Sequence, residues 1–102
     1  MKKPQYKPEL LSRVAHEVAG HISKACISLK WDIADDKVKV EYKPMIDNRR
    51  QGAFGMCKVD LVKEKMEWLL RMGQFKSVRH GPIVNHLIHA QSGVMIEFVK
   101  VD

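Results

Sequence analysis

Hydrophobic side chains recur at helical spacing through residues 9–29. They lie 3, 4, 7, 11, 14, 15 and 18 positions after the first of them, and these offsets return to one side of a helical wheel. Pro8 precedes them, and proline is favoured in the first turn of a helix. The pattern predicts one long amphipathic helix of about 30 Å. Its apolar positions are Leu11, Val14, Ala15, Val18, Ile22, Ala25, Cys26 and Leu29.

Strict alternation takes over in residues 37–43, after a polar turn at residues 32–36. In an extended chain Val38, Val40 and Tyr42 point to one side, and the charged side chains between them point to the other. This alternation is typical of a strand with one buried face. We therefore predict a half-buried strand at residues 37–43.

The next segment has the composition of a loop. Residues 44–52 combine proline, asparagine, aspartate and glycine, and residues 53–59 resume extended character. We therefore predict a β-hairpin whose tip carries Arg49 and Arg50.

A second helix is predicted from Leu61 to Met72. The carboxylate of Asp60 can accept hydrogen bonds from the free amides of its first turn, and Gly73 suits the left-handed conformation that ends a helix. The expected apolar stripe comprises Leu61, Met66, Leu69 and Leu70, with Trp68 beside them in the core.

The remaining residues are predicted to form a connector, a short helix and a strand. Residues 74–81 are a basic connector. Pro82 and Gly93 bracket a predicted helix at residues 82–91, because proline favours a first turn and glycine the position just past the last one. Residues 94–101 alternate again and predict a closing strand.

The predicted element order is helix, strand, strand, helix, helix, strand. These elements pack naturally as an α+β domain, in which a long N-terminal helix and two shorter helices cover a small antiparallel sheet of about three strands. A length of 102 residues fits one domain. We expect residues 1–102 to form that single domain, with residues 1–8 as a flexible basic tail.

The composition restricts where in the cell we expect the protein and which kinds of reaction we expect of it. The sequence has neither an apolar run of about 20 residues nor the apolar core of a secretion signal, so we expect a cytoplasmic protein with no membrane partner. Cys26 and Cys57 make no disulfide framework and are expected to be small buried side chains. Phosphate-binding and dinucleotide-binding glycine motifs are missing, which disfavours nucleotide chemistry. No cofactor is expected.

The histidines are the residues to weigh for catalysis or metal binding. His16, Glu17 and His21 resemble a zinc-protease helix motif, but its histidines must be four residues apart and these are five apart. His86 and His89 lie three apart on the predicted third helix. With His80 they form a conceivable metal cluster, but it lacks any neighbouring cysteine or carboxylate. We predict no metal site and no catalytic residue, and an enzyme would require these histidines to meet Glu17 and His21 in one cleft.

Electrostatics favours a polyanionic partner. The chain carries 18 Lys and Arg against 12 Asp and Glu, a formal net charge of +6. Basic tips and loops before helices are recurrent phosphate contacts. We therefore expect a small non-enzymatic nucleic-acid-binding accessory or regulatory protein that docks through basic loops and reads little sequence. The expected contacts are Arg49, Arg50, Lys76, Arg79 and His80.

Few aromatic side chains are left to stack on bases. Tyr42, Trp68 and Phe98 are assigned to the core, so single-strand binding depends on other aromatics. The candidates that remain are Tyr6, Phe54 and Phe75.

A protein-interaction module is the alternative. A small inhibitor or adaptor would dock on a larger protein, or on a second copy to form a homodimer, through the edge of the final strand or the Met45–Ile46 loop. The two functions predict different arrangements of the cations at positions 49, 50, 76 and 79. One contiguous basic face favours nucleic acid, and scattered cations favour a protein partner.

Overall fold

The structure, a computed structural model, describes residues 5–79 and 81–101. This part of the chain forms two α-helices and seven strands. The helices are α1 (Pro8–Ile22) and α2 (Leu61–Arg71), and single 3₁₀ turns cover Ser23–Ala25 and Gly52–Phe54. The strands are β1 (Cys26–Ala34), β2 (Lys37–Pro44), β3 (Ile46–Arg50), β4 (Met56–Asp60), β5 (Phe75–Arg79), β6 (Val84–His89) and β7 (Met95–Lys100).

Five of the strands form the main sheet, in the order β1-β2-β7-β6-β5. Strands β2 and β7 run parallel, and the other neighbouring pairs are antiparallel. Strands β3 and β4 pair only with each other and form a separate antiparallel hairpin, which we call the arm (residues 46–60). The predicted α+β class is confirmed at this level. The predicted three-stranded antiparallel sheet with three helices is wrong, because the sheet is mixed, larger and covered by two helices.

The predicted first helix extends too far. In the structure helix α1 ends at Ile22, and the chain becomes extended from Cys26. Leu29, Trp31 and Ile33 alternate along β1 and face Tyr42, Val40 and Val38 of β2. The apolar residues at the end of the predicted helix therefore fit a strand as well as a helix. Pairing with β2 selects the strand.

The predicted third helix is also wrong. Residues 84–89 form β6, and residues 75–79 of the predicted connector form β5. Pro82 and Gly93 bracket a strand here instead of a helix, since both residues also suit the ends of strands. Strand β6 lies between β5 and β7, so its conformation depends on pairing with both.

The predicted hairpin joins residues 37–43 to residues 53–59, and this pairing is wrong. Residues 46–50 are a strand inside the predicted loop, and they pair with residues 56–60. The loop of this hairpin spans residues 51–55, beyond Arg49 and Arg50. Three predicted elements are confirmed with small shifts of boundary. They are strand β2, helix α2 with Asp60 accepting from the backbone amide of Lys63, and strand β7.

One face of the main sheet is packed under the two helices. Apolar side chains from α1, α2 and the inward positions of β2, β6 and β7 form the core. The opposite face carries charged side chains, including the ion pair between Lys37 and Glu97. The most deeply buried side chains are Phe98, Ile22, Leu87, Ile96, Val14, Val18, Val38, Val40, Val62 and Val94.

The N-terminal segment meets one end of the sheet. The backbone amides of Gln5 and Tyr6 donate to the carboxylate of Asp36, and the Tyr6 hydroxyl donates to the carbonyl oxygen of Gly93 at 3.0 Å. Of the predicted basic tail, residues 1–4 lie outside the described residues. Within the described ranges, neither helix is long and apolar enough to cross a membrane.

Candidate functional site

Arg49 is the predicted contact residue with the most partners. Its Nη2 lies 3.0 Å from Oε1 of Glu64, its Nη1 pairs with Oε2 of the same carboxylate, and its Nε lies 3.0 Å from Oδ2 of Asp47. The guanidinium therefore joins the arm to α2. Its charge is offset by two carboxylates before any ligand arrives.

The other predicted contacts lie in two places. Arg50 ends β3 on the arm, next to the hairpin loop. Lys76 and Arg79 lie on the edge strand β5, and the register pairs them with Ile88 and His86. These positions alternate with side chains that face the helices, so both cations project from the uncovered face of the sheet. His80 lies outside the described residues.

The four described cations therefore do not form one face. Arg49 packs against α2, which covers one side of the sheet, and Lys76 and Arg79 project from the other side. These residues do not make a single basic surface, and by the criterion drawn from the sequence such scattering favours a protein partner. A nucleic-acid site needs different residues.

A groove between α1 and α2 supplies another set. It encloses about 820 Å³ on the outer surface of the helices, and we call it the helix groove. The end of α1 and the turn after it form one wall, and one side of α2 forms the other. Its lining residues are Gly20, His21, Lys24, Ala25, Leu61, Glu64, Lys65, Glu67, Trp68 and Arg71.

Trp68 is the prominent side chain of the helix groove. It is 52% exposed, so its assignment to the core is wrong. The buried side chains of α2 are Val62, Met66 and Leu69, whose spacing of four and three residues defines one stripe of the helix. At 100° per residue Trp68 lies more than about 120° away from the centre of that stripe, on the side that faces the groove. The sequence pattern did not single out this side, because Leu61 lies close to Trp68 on the helical wheel and was assigned to the apolar stripe.

Cations surround Trp68. Lys24 comes from the turn after α1, and Lys65 and Arg71 lie three residues before and after Trp68 on α2. None of these three cations forms an ion pair within the described residues. Of the two carboxylates in the groove, Glu64 is already paired with Arg49. The groove thus offers three unpaired cations against one unpaired carboxylate, that of Glu67, among the residues that the structure describes.

The other aromatic candidates do not offer a stacking surface. Phe75 is buried against His21 and His89, which contact its ring edge-on. Tyr6 is partly buried and its hydroxyl is hydrogen-bonded. The side chain of Phe54 lies outside the described part of the structure.

His89 lies between two hydrogen-bonding side chains. Its Nε2 pairs with the carboxylate of Glu17, and its Nδ1 lies 2.6 Å from the hydroxyl oxygen of Ser92. Carboxylate, imidazole and hydroxyl occur in this order in catalytic triads. Here, however, the Ser92 oxygen also accepts from the backbone amide of Val94 at 3.3 Å, and the helix groove does not reach it. We therefore assign this cluster to fastening α1 to the turn between β6 and β7.

Of the three histidines weighed as a metal cluster, His86 and His89 lie in the described residues and do not come together. Because β6 is a strand, His86 and His89 point to opposite faces of the sheet, and His89 is 8% exposed. Across residues 5–79 and 81–101, the structure has no group of three or more His, Cys, Asp or Glu side chains that could hold a metal ion.

The cysteines differ in their surroundings. Cys26 is buried, and that burial, with a smaller contribution from Asp60, raises the pKa of its thiol to about 11. A thiol with this pKa is protonated at neutral pH and is a poor nucleophile. Cys57 lies on the arm opposite Arg49 and is only partly buried. The prediction of two fully buried cysteines is therefore confirmed for Cys26 alone.

The chain was compared with protein-family models, with curated proteins and with solved structures. None of the three comparisons found a match.

Proposed function

We propose that this protein binds single-stranded nucleic acid in the helix groove. In this proposal a base stacks on Trp68, and Lys24, Lys65 and Arg71 contact the neighbouring phosphates. The observation that carries it is an exposed tryptophan among three cations that have no ion pair within the described residues. The proposal keeps nucleic acid as the partner and moves the contact away from the residues singled out in the sequence.

The chemistry of the groove favours unpaired bases. Stacking on an aromatic ring needs the face of a base, which a duplex hides, and it contributes about 1–3 kcal/mol per base. Lysine and arginine bind phosphates without reading sequence, and binding releases the counterions of the strand. A groove of this kind therefore favours single strands, tolerates many sequences and loses affinity as salt increases.

Tryptophan fluorescence gives a direct test. The protein has a second tryptophan, Trp31, which lies on β1 with its ring 5.0 Å from that of His16. In a Trp31→Phe variant the emission reports on Trp68 alone. Titration with a short oligo-deoxythymidine should quench that emission, because a stacked thymine accepts an electron from the excited indole. With three phosphates neutralised, affinity should fall about 20-fold between ~50 and ~200 mM salt.

Matched variants locate the binding surface. By anisotropy of a labelled oligonucleotide, Trp68→Ala should weaken binding about 5- to 150-fold, the effect expected for one stacked base. Lys65→Ala with Arg71→Ala should weaken binding as well. It should also reduce the slope of log affinity against log salt concentration by about 0.7 for each phosphate that is no longer neutralised. Lys76→Ala with Arg79→Ala removes the same number of charges from the opposite face of the sheet. Equal weakening in both double variants, or unchanged binding in Trp68→Ala, would contradict the proposal.

A protein-interaction module remains the second candidate, and the arm is the surface that favours it. Met45 and Ile46 are exposed where the chain enters the arm, and Met56 is exposed at the start of β4, next to the hairpin loop. The expected docking through the edge of the final strand is wrong, because β7 lies inside the main sheet. Both edge strands carry a bulge, at Ile27 in β1 and at Val78 in β5, and bulges discourage pairing between edges.

Salt dependence separates the two candidates. Docking through the apolar side chains of the arm should tolerate salt, and it should be abolished in an Ile46→Lys variant. Sedimentation of that variant beside the parent protein tests the homodimer directly. A monomeric parent protein, with oligonucleotide binding intact in Ile46→Lys, would leave nucleic acid as the better-supported function.

A further inference from the structure

A second cavity lies on the other side of α2 and shares only Glu67 with the lining of the helix groove. It encloses about 630 Å³ where the arm joins the main sheet, between α2 and the ends of β2, β6 and β7, and we call it the basal pocket. Cavities of roughly 300–1,000 Å³ are typical of small-molecule sites. It is lined by Tyr42, Lys58, Asp60, Lys63, Met66, Glu67, Leu70, Gly81, Pro82, Asn85, Leu87 and Lys100.

Tyr42 is the most informative of these residues. It is 2% exposed, and its hydroxyl has no hydrogen-bond partner among the described residues. That hydroxyl is not among the fully buried unpartnered atoms of the described residues, so solvent reaches it and a bound molecule can replace that solvent. Since Tyr42 lines the basal pocket, a molecule in that pocket is placed to supply the partner.

The hydroxyl of Tyr42 is a hydrogen-bond donor at neutral pH. Burial, followed by the nearby carboxylate of Asp60, raises the pKa of Tyr42 to about 12. The phenol therefore keeps its proton and presents a neutral donor. Such a group matches an acceptor on a ligand.

The charged groups around the pocket have a positive surplus. Asp60 is fully used, since Oδ1 accepts from the amide of Lys63 and Oδ2 lies 3.2 Å from Nζ of Lys100. The ammonium groups of Lys58 and Lys63 have no ion pair in the described ranges. Within those same ranges, Glu67 is the one carboxylate of the lining without such a pair. Among the described residues, the pocket lining therefore has two cations and one carboxylate without an ion pair.

The part of the pocket lining around Gly81 is tightly packed. A Cβ atom at Gly81 would lie 2.9 Å from the carbonyl oxygen of Val84, so only glycine fits without a backbone shift. The amide of Gly81 donates to Oδ1 of Asn85 at 3.2 Å, which holds this loop against the start of β6. Such packing shapes the pocket before any ligand binds.

We propose that the basal pocket binds a small organic anion, a molecule with one acidic group on an apolar body. The apolar body contacts Met66, Leu70 and Leu87. The Tyr42 hydroxyl donates a hydrogen bond to the ligand, and Lys58 and Lys63 neutralise its acidic group. The residues assigned to the anion, Tyr42, Lys58 and Lys63, are separate from Trp68 and its three cations, and only Glu67 lines both cavities.

Anilinonaphthalene sulfonate is a suitable probe, because it joins an apolar aromatic body to one sulfonate and fluoresces in apolar surroundings. Its neutral analogue, N-phenylnaphthylamine, lacks the sulfonate and controls for apolar contact alone. The anion should bind the folded parent protein more tightly than the neutral analogue does. Equal affinity for the two probes would overturn the proposal.

Three variants assign the binding to this pocket. Tyr42→Phe removes only the hydroxyl and should weaken the anion about 3- to 10-fold, the effect of removing one hydrogen bond. Lys63→Met should weaken the anion and leave the neutral probe unchanged. Lys65→Met removes a cation from the other side of the same helix and should change neither.

Thermal unfolding of each variant shows whether it is folded. Weaker probe binding is interpreted only for variants that are folded. If Lys65→Met weakens the anion as much as Lys63→Met does, the probe occupies the helix groove and the proposal is wrong. Unchanged binding in folded Tyr42→Phe and Lys63→Met would also overturn it. Neither result bears on oligonucleotide binding, so the two proposals fail separately.

Discussion

The guanidinium of Arg49 holds the carboxylate of Glu64 with two nitrogens, one of them at 3.0 Å, and so ties the arm to α2. Replacement of Arg49 by alanine removes this connection and leaves β3 and β4 paired with each other. We expect the backbone amides of residues 46–60 to exchange with deuterium roughly two- to fivefold faster, because exposed ion pairs contribute modestly. Hydrogen-exchange mass spectrometry of the arm peptides checks this.

Arg50 is the matched control for this prediction. It is the next residue of β3 and has no ion pair within the described residues. Arg50→Ala should leave exchange of the arm unchanged, whereas high salt should imitate Arg49→Ala by screening the pair. Equal acceleration in both variants would show that the ion pair does not restrain the arm.

Glu97 predicts an acid-dependent loss of stability. A hydrogen bond from Lys37 at 2.8 Å, helped by the charges of Lys37, His86 and Lys39, holds the pKa of Glu97 below its usual 4.5. Because the folded pKa is lower than the unfolded one, the stabilisation is present above about pH 4.5 and is lost as the pH falls through the folded value. It should amount to no more than about 1 kcal/mol.

Urea unfolding over a series of pH values measures this effect. The free energy of unfolding of Glu97→Gln should fall below that of the parent protein near neutral pH, and the difference should vanish at low pH. Lys37→Met should reduce the difference at neutral pH, since Lys37 is the main cause of the shift. A difference that does not change with pH would refute this account.

Two glycines should respond to alanine in opposite directions. Gly20 lies inside α1 and a Cβ there meets nothing within 4 Å, so Gly20→Ala should stabilise the protein by up to about 1 kcal/mol. Gly73 has a φ of 79° just after α2, where a Cβ atom is strained. Gly73→Ala should therefore destabilise the protein by about 1–2 kcal/mol. Chemical unfolding of both variants under the same conditions checks the contrast.

Elements whose signals come from residues close together in the sequence were predicted correctly. The apolar spacing from Leu11 to Ile22 indicates α1, and the alternation around Val40 indicates β2. The ends of α2 follow from Asp60 and Gly73, whose local conformations match the prediction. Each of these signals lies within a few turns of helix or a few residues of strand.

Elements whose periodicity was ambiguous were mispredicted. The segment after Ile22 and the segment from Val84 to His89 fit both helix and strand. The parallel pairing of β2 with β7 places β7 inside the sheet, and β6 then pairs with β7 on one side and with β5 on the other. That pairing joins residues far apart in the chain, such as Val38 and Ile96, and no local pattern contains it.

The candidate site divides in the same way. The sequence by itself determined that residues 61–71 form a helix with Asp60 at its start, since these signals are local, but it did not determine which face of α2 is buried. Trp68, predicted for the core, lies outside the buried stripe. Tertiary structure alone decided that Lys24 joins Trp68 in one groove, that Arg49 is neutralised by Glu64, and that Lys76 projects from the opposite face of the sheet. The physical reason is that spacing orients a side chain on its own element, whereas contacts between elements depend on how the whole core packs.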